Sequence, residues 1–466
     1  MPSVRCSRRP SWALQAFLHG NGTWPRAPRA RRAARTVLWR ACTVAAPSSS
    51  TSGPMSRVHV HLVGFGLAGA AVAFHLLRQR ASLHLPVTLS VVDEAGAAGG
   101  ATRAAAGLLH AYSPRARKLW LGDEGLHCAR EMFEAVTGAA SRPFAQRTGI
   151  VKMASSAREQ ADYAAAAAAA ATAELGWDAA RQQLWIADGW TVDAVAYVEA
   201  VRRHLMQYAT AFMVEWETRA VTDLSAEMQR AGQLAQRPLY DGARMPAPAQ
   251  CIVVVAAGAG SKALLPSLPL RLCRGQNLVY AAAPGNGSYK RSGSDTSSPA
   301  IMARGKYLVP MPDGARIIGG ATKEYAPGDL ADGAAANAWL QAPADITVAR
   351  EALEAPLREL VARWQNAHRT SASSSRASSE PIEAVAGVRA LPPRRPEGSV
   401  PLIGQLRVPD APASTSVLYI TGLGSRGLVY HAVMGKRLVE QIVQLATTGA
   451  DRHDTDIMSQ AASRAP

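Results

Sequence analysis

Three glycines and one acid are the first residues of this chain whose types and spacing could do chemistry. Gly64, Gly66 and Gly69 stand in GFGLAG, the order GxGxxG, and Asp93 follows 24 residues after Gly69. Between a strand and a helix, that pattern cradles the pyrophosphate of a dinucleotide. The first glycine permits a tight turn, the second lets backbone approach the phosphates, and the third lets helix and strand pack closely. The helix N-terminus, opened here by Leu67 and Ala68, then faces the anion. Asp93, with Glu94 beside it, can accept hydrogen bonds from a ribose, and its charge disfavours a phosphorylated ribose. No Ser/His/Asp or Cys/His constellation competes with this reading, and Cys128, Cys251 and Cys273 form no CxxC, so a zinc site is not expected.

The elements that must hold those residues are legible around them. Val58 to Val63 reads as a short buried strand, Leu67 to Arg80 as an Ala-rich helix, and Val87 to Asp93 as a second strand, the first half of a nucleotide-binding βαβ unit. Helices are also expected over Asp123 to Val136, Asp162 to Leu175 and Val192 to Tyr208, and a strand over Met213 to Leu224. The apolar run Cys251 to Ala257 has the character of a buried strand and ends in the turn AGAGS, returning the chain to the nucleotide-binding sheet. Three stretches rich in Gly, Ser and Ala (Pro284 to Pro299, Ala331 to Ala344, Thr370 to Ser379) read as surface insertions.

Composition bounds the remaining classes. The chain has 466 residues, 48 % hydrophobic, enough for one large or two interleaved cores. Its net charge of +16 would suggest nucleic acid, but ten arginines and no acid or lysine lie between Met1 and Arg57. Without those ten the charge is +6, and no basic stripe with interleaved aromatics remains. The Arg-rich, acid-free start, with serines near its end, has the composition of a transit peptide. A chloroplast destination is expected, with the mitochondrion, or a disordered basic tail, as alternatives. No run of 18 apolar residues predicts a spanning helix.

The fingerprint alone does not separate FAD from NAD. GGATRAAAGLL (Gly99 to Leu109), AAGAGS (Ala256 to Ser261), RLCRGQ (Arg271 to Gln276), GVRALPP with PLIG (Gly387 to Pro393, Pro401 to Gly404) and TGLGSRGLVYHA (Thr421 to Ala432) follow in the order found in D-amino-acid-oxidase-like flavoproteins. Over about Val58 to Ala446 the chain resembles that family. It looks most like the oxidase module of the bacterial bifunctional enzyme of methylaminomethyl-thiouridine biosynthesis in tRNA, and next like glycine oxidases.

The resemblance implies an α/β fold: a discontinuous Rossmann-like FAD-binding domain (58–115, 190–270, 385–446) interleaved with an α+β substrate domain on an antiparallel sheet (116–189, 271–384). A leader (1–57) and a C-terminal tail (447–466) flank them. FAD would be bound non-covalently. Ala101 and Thr102 would pass beneath the flavin, Gly258 would meet the cofactor after a core strand, and Gly422, Gly424 and Ser425 would form the loop opening the last helix. Arg389 falls where relatives grip the substrate carboxylate, and Tyr307 resembles its hydroxyl partner. Arg426 matches a position near flavin and substrate. A guanidinium suits such a role because its planar fork bonds a carboxylate bidentately.

The implied chemistry is oxidation of a C–N bond in an amine or amino-acid-like substrate, by hydride transfer to flavin N5 and hydrolysis of the imine, with oxygen or another molecule as electron acceptor. The side chain of carboxymethylaminomethyl-uridine in tRNA is the alternative substrate. A flavin-binding protein without turnover and an NAD-dependent dehydrogenase are the other readings. No metal is expected. His431, about a turn into the last helix pattern, is expected in the core.

Overall fold

The fingerprint strand Val58–Val63 is buried along its whole length because a sheet flanks it on both edges and helices cover both faces. The six-stranded sheet runs in the order Leu402–Leu406, Thr415–Thr421, Gln250–Val255, Val58–Val63, Val87–Asp93, Val214–Thr218. All neighbours are parallel except Leu402–Leu406, which returns antiparallel at one edge. The computed structural model describes residues 57–80, 86–170, 174–208, 214–237, 250–282, 298–327, 338–367, 380–408 and 415–448. The leader up to residue 56, residues 284–297 and 331–337 of two low-complexity stretches, all of Thr370 to Ser379, and the tail from 449 lie outside the described residues.

The strand's two faces differ. Val58, Val60 and Leu62 join the core beneath the fingerprint helix Leu67–Gln79 and the closing helix Gly427–Thr448. These helices touch backbone to backbone: a Cβ at Gly435 would lie 2.7 Å from the Ala71 Cβ. On the other face, His59 and His61 point toward the helix Leu224–Gln236. His59 bonds Thr88 (2.8 Å), and His61 bonds Ser90 (2.6 Å) and Glu227 (2.6 Å). They are satisfied core histidines.

A second, nine-stranded sheet is built from two stretches of chain that the first sheet does not use, Ile150–Asp178–Ile186 and 271–391. Its long strand Arg271–Ala281 pairs antiparallel with Arg316–Gly320 and with Glu383–Leu391. Glu383–Leu391 was expected to open the last FAD-domain segment, yet its hydrogen bonds go to the second sheet. The expected helix Asp162 to Leu175 is also corrected. It spans Ala157–Ala169, because Ser156 caps its start by accepting from Glu159 N at 3.2 Å, and Leu175 already begins the strand Leu175–Asp178. The other expected helices hold within two residues of each end: Gly122–Val136 and Ala194–Met206. The helices Leu224–Gln236 and Ile346–Ala367 were not expected from the sequence.

Candidate active site

The loops that follow strands Val58–Val63, Val87–Asp93, Gln250–Val255 and Thr415–Thr421 all leave from the carboxyl ends of four adjacent parallel strands. Ligands of open α/β sheets bind there. Gly64 takes φ +97°, and a Cβ on it would stand 2.7 Å from Ala256 O in the neighbouring loop. A Cβ at Gly69 would come within 2.0 Å of Gly64 O, so the third glycine is required for helix and strand to meet. Asp93 fixes the loop from the next strand: Oδ2 accepts from Phe65 N (2.6 Å) and Oδ1 from Ala95 N (2.9 Å). Each oxygen keeps a lone pair for a ribose hydroxyl. Glu94 is exposed and turned away to Gln341, whose Nε2 donates to it at 2.9 Å.

Thr102, expected beneath the ring system, stands at the N-terminus of the fingerprint helix. Its Oγ1 accepts from Leu67 N at 3.1 Å and would be 2.8 Å from a Cβ at Gly66. The hydroxyl hydrogen remains free to donate to a phosphate oxygen. Leu67 and Ala68 bury their side chains, so only their backbone could face a ligand, and the Leu67 amide already donates to Thr102. Ala101 packs against the second sheet, where a Cβ on Gly387 would lie 3.1 Å from Ala101 Cα. Gly258, Gly422 and Gly424 all take positive φ, and Thr421 Oγ1 donates to Gly258 O at 3.1 Å, tying two of the loops together. Ser425 is exposed. The cradle of small residues, the 13-residue helix behind it and the ribose acid fit the adenosine diphosphate half of FAD.

Beside this cradle the second sheet presents one polar face. Cys273, Gly275 and Asn277 alternate onto the same side of their strand, and Arg389 is the register partner of Cys273. The Arg389 guanidinium reaches along the sheet over Gly275, where a Cβ would be 2.9 Å from Nη2, and it donates to Cys273 Sγ at 3.6 Å. Tyr307 lies across from Gly320, which pairs in turn with Asn277. The Tyr307 hydroxyl donates to Asn277 Oδ1 (2.8 Å), and Asn277 Nδ2 donates to Ala104 O (2.8 Å), anchoring the sheet on the turn after Thr102. Burial pushes the Tyr307 phenol up to about 12 against the opposing pull of Arg389 and Asn277, so it stays a neutral donor.

Arg389 and Tyr307, both expected from the sequence, lie on this face, whereas Gly275, Asn277 and Gly320, which make their arrangement possible, were not singled out. A glycine inside a strand run and an asparagine in the middle of RGQNLVY were the signals available. Arg426 sits at the loop before the closing helix, its Nη1 3.4 Å from His110 Nε2, and burial lowers its pKa. His431 is fully buried: its Nδ1 donates to Leu428 O (3.1 Å) and its Nε2 accepts from the Tyr197 hydroxyl (2.9 Å). Among the described residues no group of three His, Cys, Asp or Glu side chains could hold a metal ion, and no helix is long and apolar enough to cross a membrane.

Known proteins give the same outline. Glycine oxidase from Geobacillus kaustophilus superposes with a TM-score of 0.56 at 17 % identity, covering 86 % of this chain and all of that one. The L-amino acid deaminase of Proteus vulgaris lacking its specific insertion gives 0.51 at 15 % identity, over 85 % and 93 % of the two chains. The reduced L-alpha-glycerophosphate oxidase of Mycoplasma pneumoniae with FAD bound gives 0.52 at 14 % identity, over 83 % and 94 %. These likenesses show the fold. No curated protein matches the chain in sequence. The family model described as FAD dependent oxidoreductase (DAO) matches residues 59–441, and the chain belongs to that family.

Proposed function

We propose that this FAD-dependent oxidoreductase oxidises the carbon–nitrogen bond of a small amine or amino acid that carries a carboxylate. One observation carries the reading: a guanidinium and a neutral phenol, from Arg389 and Tyr307, share a sheet face that packs on the turn following Thr102, with no carboxylate among the described residues paired to Arg389. A substrate carboxylate supplies the missing charge, and the Arg fork with a phenolic donor fixes its orientation.

FAD, when bound, supplies the hydride acceptor. The protein's part is placement. Arg389 and Tyr307 hold the acid end, so the carbon bearing the amine is presented in one orientation. The buried sheet face around Asn277, 2 % exposed, keeps bulk water from the held carboxylate. Glycine oxidase and L-amino acid deaminase are named for substrates of this class, and both are among the similar structures. FAD is held without a covalent bond on this reading, through the glycine cradle and Asp93.

The test is anaerobic reduction of the FAD-loaded protein by glycine, sarcosine, D- and L-amino acids and carboxymethylaminomethyl-uridine, followed by the loss of flavin absorbance. Bleaching by carboxylate-bearing amines, lost in Arg389→Met, supports the reading. Bleaching by amines without an acid group, unchanged in that variant, contradicts it.

A further inference from the structure

The loop that opens the closing helix carries a second guanidinium with little to answer it. Arg426 is half-buried, and among the described residues its side-chain hydrogen-bond neighbour is His110, at 3.4 Å between Nη1 and Nε2. His110 is 1 % exposed, and its Nδ1 accepts from Tyr112 N at 3.2 Å. Burial, reinforced by Arg426 and Lys152, holds the imidazole neutral. A neutral imidazole that accepts at Nδ1 carries its proton on Nε2. The Nε2–H and the Arg426 N–H are therefore both donors, 3.4 Å apart, with no acceptor bonded to them among the described residues.

Lys152 makes the corner more positive. It is 3 % exposed, donates to Ser113 O (2.9 Å) and Pro114 O (2.6 Å), and acts electrostatically on His110. Its own pKa is brought down to about 8, first by burial and then by Arg426. Two converging donors in a dehydrated, positive corner bind an oxyanion. The corner borders the Arg389 face: a Cβ at Gly424, two residues before Arg426, would be 3.5 Å from Leu391 Cδ2 and 4.0 Å from Ala390 O, immediately beyond Arg389.

We propose that Arg426 and His110 form a second anion subsite that takes a distal carboxylate of the substrate, so that the protein prefers amines bearing two acid groups. The first acid is held by Arg389 and Tyr307, and in that respect the inference rests on the proposed amine oxidation. The subsite itself rests on the two converging donors.

The experiment uses the FAD-loaded protein in two arms. In the first, glycine and D-alanine are compared with iminodiacetate, D-aspartate and D-glutamate for anaerobic flavin reduction. In the second, unreactive acetate and glutarate are compared by the perturbation they cause in the flavin spectrum. Flavin content is measured for every variant. The dicarboxylates are expected to half-saturate at concentrations about tenfold to a hundredfold lower, the range of one charge-assisted hydrogen bond. That ratio should fall toward one in Arg426→Met and in His110→Phe, and recover in part in Arg426→Lys. Because the ratio is taken within each variant, a loss of folded protein does not mimic the effect.

A ratio near one in the unaltered protein, or one that survives both substitutions, overturns the subsite. So does loss of FAD from Arg426→Met with the ratio intact in His110→Phe, which would assign the donors to the flavin. If no amine reduces the flavin while glutarate still outbinds acetate only when Arg426 is present, the subsite stands and amine oxidation falls.

Discussion

Arg389 owes its position to a missing side chain. The guanidinium lies beside the place a Cβ on Gly275 would take, with Nη2 2.9 Å from it. Gly275→Ala should displace it, and a displacement of about 1 Å at a positioning group costs on the order of a hundredfold. The half-saturating concentration of carboxylate substrates should therefore rise steeply in Gly275→Ala while the flavin spectrum of the free protein is kept. An unchanged value would show that the guanidinium does not hold substrate. Arg389→Met removes the charge itself and should weaken flavin reduction by about 2–5 kcal/mol, read as the ratio of half-saturation-limited rates. At the cradle, Gly69→Ala forces a Cβ within 2.0 Å of Gly64 O, so this variant should purify without flavin even after reconstitution. The glycines and Asp93 were legible because their spacing is local. Asn277, Tyr307, Gly320 and Arg389 come together only through strand pairing across more than a hundred residues, which periodicity does not encode. The contact of Thr102 with the fingerprint helix was not legible, because it depends on how the turn after Gly99 folds back on Leu67.

At the scale of elements, two contacts set the frame behind the site. The first joins the fingerprint and closing helices at Gly435 and Ala71. Gly435→Leu would overpack that seam and should destabilise the fold by about 1–3 kcal/mol in a denaturant titration, with flavin release accompanying unfolding. The second joins the sheet to the helix Leu224–Gln236 through Glu227, which bonds His61 and forms an ion pair with Arg219 at 2.5 Å. Burial alone would raise this carboxyl, but the hydrogen bonds from His61 and Arg219 prevail and bring it down to about 2 from 4.5. A depressed carboxylate stabilises the fold fully above its unfolded pKa, and the contribution is lost as pH falls through the folded value. Glu227→Gln should thus lower the melting temperature at pH 7, and the gap from the unaltered protein should close between pH 4.5 and 2. A gap independent of pH would show that shape, not charge, matters there. The strands Val58–Val63, Val87–Asp93 and Gln250–Val255 and the helices Leu67–Gln79, Gly122–Val136 and Ala194–Met206 were readable from the sequence pattern, whereas the strands of the second sheet were not. The helix Leu224–Gln236 was missed although its buried residues Glu227, Met228, Ala231 and Ala235 recur at helical spacing, because the preceding strand was read on to Leu224. The start of Ala157–Ala169 was missed because its cap precedes the alanine run by several residues.

Across the whole molecule, the chain passes between a mostly parallel sheet whose strand ends carry the glycine loops and a mostly antiparallel sheet that carries Arg389 and Tyr307. They meet where Asn277 Nδ2 bonds Ala104 O and Gly387 lies against Ala101, one side-chain hydrogen bond and one close approach of backbones. The family was legible from motif order because the motifs mark the loops, whereas the arrangement of Gly275, Asn277 and Gly320 around Arg389 and Tyr307 is made by the strands those loops connect. On the proposed function, this meeting point oxidises an amine whose carboxylate lies on Arg389. The most direct measurement is the flavin spectrum of the FAD-loaded protein during anaerobic titration with carboxylate-bearing amines, alongside Arg389→Met. The account predicts bleaching in the unaltered protein, with at least a tenfold higher half-saturating concentration in the variant. A bound flavin that none of these amines bleaches, or bleaching indifferent to Arg389, would contradict it.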